Sequence, residues 1–288
     1  MIVITGAAGF IGSHLCRKLN FHGIKNLILV DDFTQEKKRK NWEDLAYTDK
    51  IQREVFFHWA EKNVPHIDFI FHLGARTDYL STDNDIFEAL NVDFSQRIWS
   101  FATFNRIPLL YASSYLTNDT RSLSSFAKSK YVFDKWIEKQ HYAPPFWAGL
   151  KFFQVYGKNE EHKAENASIV QKMYQKCAEN VTLIHAEKNV IQDYIYVNDV
   201  MKVLYYFLNH TPRNGIYEVG TGFARPLQAI IEAIRRVAGV QVTSDELQVT
   251  GDKLEECFVF QADLALLRKY AYKQPFISLE QGVKRMFN

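Results

Sequence analysis

The sequence predicts an α/β protein with a doubly wound parallel sheet and a smaller C-terminal lobe. Three observations carry that prediction. Apolar runs of buried-strand type alternate with helical-period segments through the first half of the chain. The first run stops in three glycines, Gly6, Gly9 and Gly12, and a helical pattern opens at once. The second run ends in an acid, Asp31, nineteen residues after Gly12.

Met1–Thr5 (MIVIT) reads as a strand buried on both faces, because it is apolar without alternation. Residues 11–20 place apolar side chains at helical spacing, and residues 26–31 (NLILVD) form the second buried strand. Strand, glycine turn, helix and strand make a βαβ unit, whose crossover is right-handed. The basic run Lys37–Lys40 reads as a solvated loop. Residues 67–74 are a further strand, 85–106 a helix, 108–114 a strand, 125–140 a helix and 147–156 a strand. Beyond Tyr156 the alternation loosens, with helical stretches at 169–179, 199–209 and 226–238. The expected division is a dinucleotide-binding domain over 1–153 and mainly a substrate-binding lobe over 154–288, with some segments returning to the first sheet.

Composition excludes several classes. Net charge is +2 over 288 residues, too weak a bias to suggest a nucleic-acid or acidic-membrane partner. No apolar run approaches the roughly 18–20 residues of a membrane helix, and no signal-peptide pattern precedes the first strand. The expectation is a cytoplasmic protein. Its three cysteines form no CxxC pair and read as small buried hydrophobes in a reducing compartment. No two histidines are spaced as metal ligands, so no metal is expected. His72 reads as a strand-end packing residue. Aromatic residues reach 15%, which points to a large core, an aromatic-lined cleft, or both.

The glycine turn carries the first chemistry. Gly6 permits the tight turn, Gly9 lets backbone approach a pyrophosphate, and Gly12 lets helix and sheet pack closely. Phe10 and Ile11 lie between them, where a helix N-terminus offers backbone N–H groups and the positive end of its dipole. This is the phosphate grip of a Rossmann-type, nicotinamide dinucleotide-binding domain. Asp31, followed by Asp32, stands where an acid binds the adenosine ribose, which on its own favours NAD. Lys37, Lys38 and Arg53 are nearby cations able to hold a 2′-phosphate, which favours NADP. The cofactor expected is NADP, with NAD as the alternative.

These residues resemble the extended short-chain dehydrogenase/reductase family, and the resemblance covers the whole chain. It rests on residues 5–12 (TGAAGFIG), 71–75 (FHLGA), Asn91, 111–114 (YASS), Ser129-Lys130 and 219–222 (VGTG). Within the family, the likeness is to the ADP-heptose 6-epimerase branch of lipopolysaccharide synthesis. It is carried by residues 29–33 (LVDDF), 150–157 (LKFFQVYG), 161–163 (EHK), 193–197 (DYIYV), 261–263 (QAD) and 273–276 (KQPF). The resemblance implies epimerisation of a nucleotide sugar, an ADP-heptose among the candidates, by oxidation at C6 and return of the hydride to the opposite face. It adds Leu73, Gly74, Ala75, Asn91, Lys130 and Val155 to the cofactor-binding residues. Substrate contacts fall on Ser114, Gln154, His162, Lys163 and Gln192. It also implies a homo-oligomer.

The sequence departs from the family at the chemistry. The family's catalytic unit is a Ser or Thr, a Tyr and a Lys, the last two spaced YxxxK. Ser114 and Lys130 match, and Lys163 resembles a second proton-handling residue. Four residues before Lys130, however, stands Phe126. Tyr131 and Lys135 form a literal YxxxK, but Tyr131 lies five residues from Phe126, about 140° around a helix, and reads as a surface residue. Tyr115, beside Ser114, is a possible substitute acid or a space-filling side chain. Ser114 and Phe126 are twelve positions apart, about half the family interval. Lys151, Gln154 and Gln192 replace an Arg, an Asn and an Arg, and Gln cannot reproduce the bidentate grip of Arg on a diphosphate. The expectation is a protein that holds NAD(P) and epimerises slowly, or a catalytically silent paralogue acting as a regulator or partner subunit.

Overall fold

The computed structural model describes residues 1–78, 81–120, 123–178, 183–185, 190–238, 248–250 and 257–287. The strands are β1 (Ile2–Thr5), β2 (Leu27–Asp31), β3 (Asp49–Gln52), β4 (Phe69–His72), β5 (Leu109–Ser114), β6 (Trp147–Phe152), β7 (Gln154–Tyr156), β8 (Leu183–His185), β9 (Val190–Tyr196), β10 (Gly215–Val219), β11 (Ala224–Pro226), β12 (Gln248–Thr250) and β13 (Phe258–Phe260). The helices are α1 (Phe10–Phe21), α2 (Arg39–Trp42), α3 (Phe56–Asn63), α4 (Asn84–Phe87), α5 (Phe94–Phe104), α6 (Ser125–Ile137), α7 (Ile169–Ala178), α8 (Val197–Asn209), α9 (Leu227–Ala238), α10 (Ala265–Tyr270) and α11 (Leu279–Phe287).

Two compact units result. The first comprises Met1–Lys151, Met201–Tyr217 and Tyr270–Tyr272. Its seven-stranded sheet has the order β10-β6-β5-β4-β1-β2-β3, and β3-β2, β2-β1, β1-β4 and β4-β5 pair in parallel. This is the doubly wound Rossmann order, in which the crossover between strands 1 and 4 opens a crevice at the carboxyl ends. Its central strands β1, β2, β4 and β5 are buried on both faces, as their continuous apolar runs require. Val3, Ile28, Val30, Ile70, Leu109 and Tyr111 pack with Phe56 and Phe57 of α3, Ile98 and Trp99 of α5, and Phe133 of α6. On the opposite pleat Ile4, Leu29 and Phe71 are buried too.

The second unit comprises Phe152–Val200, Glu218–Lys269 and Lys273–Asn288. Its principal sheet has the order β11-β9-β13, and β7 also pairs with β9. β8 and β12 form a separate parallel pair.

Four sequence expectations change. The strand expected over 147–156 is two strands, because the Phe153 N–H turns to the Val219 carbonyl (3.1 Å) and β7 then joins β9. The helix expected over 85–106 is α4 and α5 joined by a π-helical stretch, Glu88–Asp93. The basic run is helical, in a 3₁₀ turn (Glu36–Lys38) and α2, and is not a loop. Cys257 is exposed, unlike the buried Cys16; the Cys177 side chain lies outside the described residues. The helix expected over 169–179 is α7, and Glu179 lies outside the described residues.

Candidate active site

The glycine turn is dictated by close backbone approach. Gly6 has φ of 70°, and a Cβ there would sit 2.6 Å from the Gly74 Cα. A Cβ on Gly12 would overlap the Gly6 carbonyl oxygen. At Gly9 a Cβ would meet only the Gly6 carbonyl oxygen, at 3.1 Å, so the rest of its surroundings within 4 Å is open. Two glycines thus seat the turn on β4 and α1, while the third leaves space on its outer side. Gly9 caps α1 without a side chain, which leaves the helix N-terminus able to meet an anion. This arrangement fits a dinucleotide pyrophosphate.

Asp31 ties the second strand to this turn. Its Oδ2 accepts the Ala8 N–H at 2.9 Å, and its Oδ1 accepts the Asp32 N–H at 2.8 Å and the Lys38 ammonium at 2.9 Å. Three acceptor positions of this buried carboxylate are therefore committed. Asp32 accepts from the Thr34 hydroxyl and the Gln35 amide, which pull its carboxyl down to about 2. Arg53 pairs with Glu54.

A buried hydrogen-bond chain links this turn to α6. The Gly74 N–H donates to Thr5 Oγ1 (3.1 Å), which lies 2.7 Å from His72 Nδ1. His72 Nε2 lies 2.8 Å from Ser95 Oγ, and the Ser95 hydroxyl donates to the Asn91 carbonyl (2.5 Å). Ser95 has one proton, already given to Asn91, so it accepts from an Nε2–H. The imidazole is then an Nε2–H tautomer whose Nδ1 accepts the Thr5 hydroxyl. Burial pushes the His72 imidazole down to about 3, with Lys130 adding to the effect. The π-helical stretch aims Asn91 inward. Its amide donates to Ser129 Oγ (2.9 Å) and to the Arg76 carbonyl (3.0 Å), and its Oδ1 accepts the Arg76 N–H (2.7 Å). The Ser129 hydroxyl donates to the Phe126 carbonyl (2.7 Å). The sequence reading assigned Asn91 to the cofactor, missed Thr5 and Ser95 as its partners in this network, and read His72 as packing alone. The signal available was the i, i+4 spacing of Asn91 and Ser95.

At the head of α6, Ser124 caps the helix by accepting the Ala127 N–H (3.2 Å). Phe126 and Lys130, one turn apart, are both buried. The Lys130 ammonium donates to the Ala112 carbonyl of β5 at 2.9 Å, and burial pulls it down to about 8. Asp134, one turn further, accepts from the Tyr111 and Ser113 hydroxyls (3.0 and 2.7 Å), and burial pushes its carboxyl up. Ser114 ends β5, and its hydroxyl oxygen accepts the Leu116 N–H (3.3 Å); Tyr115 beside it is buried. Tyr131 and Lys135 line a different feature of this unit, a pocket of about 400 Å³ with Thr117, Asn118 and Lys151. There Lys135 pairs with Glu138.

Leu73 and Ala75 follow β4 in the first unit, and five candidates belong to the second unit. Gln154 and Val155 lie on β7 and Gln192 on β9. His162 and Lys163 lie in a 3₁₀ segment, Glu161–Asn166. The fully buried Glu160 organises that segment. It accepts the Lys163 ammonium (3.1 Å), the Ser168 N–H (2.9 Å) and hydroxyl (2.7 Å), and the Gly157 N–H (3.2 Å). Asp193, also fully buried, accepts from Thr221, Gly222 and Ala262 and so fixes the loop after β10. Among the described residues no group of three or more His, Cys, Asp or Glu could hold a metal ion, and no helix is long and apolar enough to cross a membrane.

Fold and turn together define a dinucleotide-binding enzyme scaffold, and comparison with known proteins agrees. Residues 2–220 match the NAD dependent epimerase/dehydratase family. The chain belongs to that family, within the extended short-chain dehydrogenases/reductases. It is 33% identical to the ADP-L-glycero-D-manno-heptose-6-epimerase of Fusobacterium nucleatum subsp. nucleatum, with 99% of this chain and 96% of the relative covered. It is 31% identical to the enzyme of the same name from Brachyspira hyodysenteriae, with the same shares covered. The crystal structure of the Helicobacter pylori ADP-L-glycero-D-manno-heptose-6-epimerase superposes with a TM-score of 0.84 at 22% identity, covering 99% of this chain and 94% of that one. The Fusobacterium alignment runs over 320 positions against 288 residues here, so that relative carries internal residues this chain lacks.

Proposed function

We propose that this protein holds NADP, with NAD as the alternative, and acts on a nucleotide sugar of the ADP-heptose kind, with its C6 epimerisation curtailed by Phe126. Bound, the nicotinamide supplies the redox chemistry. The chain's own residues grip and orient it: the Gly6–Gly12 turn at the pyrophosphate, Lys38 and Arg53 beside Asp31 and Asp32 at the adenosine ribose, and Lys130 midway along α6. Ser114, Gln154, His162, Lys163 and Gln192 are the residues assigned to the sugar nucleotide. Support for NADP comes from Asp31, whose oxygens are already committed to two backbone N–H groups and to Lys38. It has little acceptor capacity left for ribose hydroxyls, while Lys38 brings a cation to the same strand end.

The observation that carries the reading of slow turnover is the buried phenyl ring of Phe126, one turn before Lys130 on α6. A phenyl ring neither gives nor takes a proton, and positioned acid–base groups contribute about 10²–10⁴-fold. The Lys130 ammonium meanwhile donates to the Ala112 carbonyl. The grip on the cofactor and the proton relay are thus separable in this chain. The same observation favours a second reading, a cofactor-binding regulator or partner subunit without turnover.

The test starts with the purified protein. Bound nicotinamide is sought by absorbance and mass, and interconversion of the two C6 epimers of ADP-heptose is followed with NADP and with NAD. Cofactor binding with turnover at least a hundredfold below ordinary enzyme rates supports curtailed epimerisation. Binding with no turnover supports the silent reading, and turnover at ordinary rates refutes both.

A further inference from the structure

The sheet of the second unit brings together residues far apart in sequence. β11 pairs antiparallel with β9, and Arg225 stands directly opposite Gln192. Directly opposed residues of an antiparallel pair project from the same face, with Cβ atoms about 4.5–5.5 Å apart. Two residues along β9, Tyr194 projects from that face as well. Its parallel partner on β7 is Gln154. One face therefore carries a guanidinium and two carboxamides, from Arg225, Gln192 and Gln154, beside the Tyr194 ring.

Arg225 is exposed, and its side chain makes no hydrogen bond or ion pair to another described residue. The adjacent acid on β9, Asp193, projects from the opposite face and is committed to Thr221, Gly222 and Ala262. Among the described residues, an acid within electrostatic reach is Glu280 at the start of α11. Its carboxyl is held below the usual carboxylate range first by its own backbone N–H and then by the Ser278 hydroxyl, with Arg225 and Arg236 contributing at longer range. Arg225 thus keeps its donor fork for an external anion. A guanidinium offers that fork in a plane that matches phosphate oxygens, and flanking carboxamides add neutral donors without adding charge.

We propose that Arg225 binds the diphosphate of the nucleotide-sugar substrate, with Gln192 and Gln154 as its neutral partners on the same face. The inference rests on the nucleotide-sugar reading above and deepens it, by assigning the substrate's charge recognition to a residue on β11.

The test uses the full chain saturated with NADP, so that its own nucleotide site is filled, and ADP-glucose as the titrant in calorimetry. Hydrogen bonds to a charged group are each worth about 1.5–3 kcal/mol, or roughly 10–150-fold. Arg225→Gln is expected to weaken ADP-glucose at least tenfold and to leave NADP affinity within about twofold. Moving the cation across the strand pair, in the double variant Gln192→Arg with Arg225→Gln, is expected to recover most of the loss. A purely structural role for Arg225 would give no such recovery. ADP-glucose affinity indifferent to Arg225→Gln, or an equal loss of NADP affinity, overturns the inference and leaves the nucleotide-sugar reading standing. A folded single variant whose loss is not recovered in the double variant overturns it as well. If the native holoprotein binds neither ADP-glucose nor UDP-glucose at millimolar concentration, both the inference and the reading beneath it fall.

Discussion

The buried imidazole of His72 makes the first unit acid-labile in a defined window. His72 is 1% exposed, spans Thr5 and Ser95, and titrates at about 3 in the fold against 6.5 in the unfolded chain. Between those values the unfolded chain binds one more proton than the native state. Stability therefore rises with pH through this window and falls as pH drops below 6.5. One proton is worth about 1.4 kcal/mol per pH unit, so from pH 6.5 to pH 4 the loss from His72 alone is ~3 kcal/mol. Carboxylates titrate in the same range, so the measurement is a difference between the native protein and His72→Gln. A single carboxamide cannot span both hydroxyls, which costs the variant about 1–3 kcal/mol at pH 7. It does not titrate, so by pH 4 the deficit vanishes or reverses. All five tryptophans, Trp42, Trp59, Trp99, Trp136 and Trp147, lie in the first unit, so urea unfolding followed by tryptophan fluorescence reports on it directly. Parallel loss of stability by the two proteins between pH 6.5 and pH 4 would refute the buried-neutral assignment.

Three further outcomes are expected. Phe126→Tyr raises epimerisation by about 10²–10⁴-fold if the missing hydroxyl is the main defect, and without cofactor it lowers Tm by several degrees, since a buried hydroxyl without a partner costs about 1–3 kcal/mol; no gain in rate would put the larger defect in the substrate contacts. Gly12→Ala forces a Cβ onto the Gly6 carbonyl oxygen, so NADP binding measured by fluorescence titration should fall by more than tenfold, and unchanged affinity would contradict the close-approach argument. Lys38→Ala removes the cation beside Asp31 and should weaken NADP by about tenfold while leaving NAD nearly unchanged, as expected for one lost charge-assisted contact; equal loss of both cofactors would assign Lys38 to holding Asp31 alone.

The sheet was legible because its information is local. Residues 2–4, 27–30 and 69–71 are apolar at every position, which only a strand covered on both faces tolerates. Gly6 and Gly12 were legible because each answers a backbone constraint within the same turn or against the segment after β4. Two local breaks were not legible. Residues 147–156 are apolar enough for one strand, and only the Val219 carbonyl, more than sixty residues on, captures the Phe153 N–H and splits it. The π-helical stretch leaves helical periodicity almost intact, so 85–106 reads as a single helix; its effect appears only in the partners of Asn91.

Charge on the substrate side shows the same limit from another direction. The loss of arginine at position 192 is visible in sequence. The arginine opposite it is not, because Arg225 lies thirty-three residues away on a strand of three residues, Ala224–Pro226, too short to declare its register. A residue-by-residue comparison along the chain counts the change at 192 as a missing cation. Across the β9–β11 pair it is a cation on the neighbouring strand, facing the same way. Next to Phe126, two polar side chains of the described residues are already committed. The neighbouring hydroxyl of Ser129 and the carboxamide of Asn91 are bonded to each other, and the Ser129 hydroxyl donates to the Phe126 carbonyl. Charge can be supplied from an adjacent strand because Coulombic attraction tolerates an offset of a few ångströms, whereas proton transfer needs hydrogen-bond contact of about 2.6–3.2 Å. On the proposed function, the two departures from the family pattern would therefore differ in consequence: the one at 192 is open to rescue by the fold, and the one at 126 falls on the proton step.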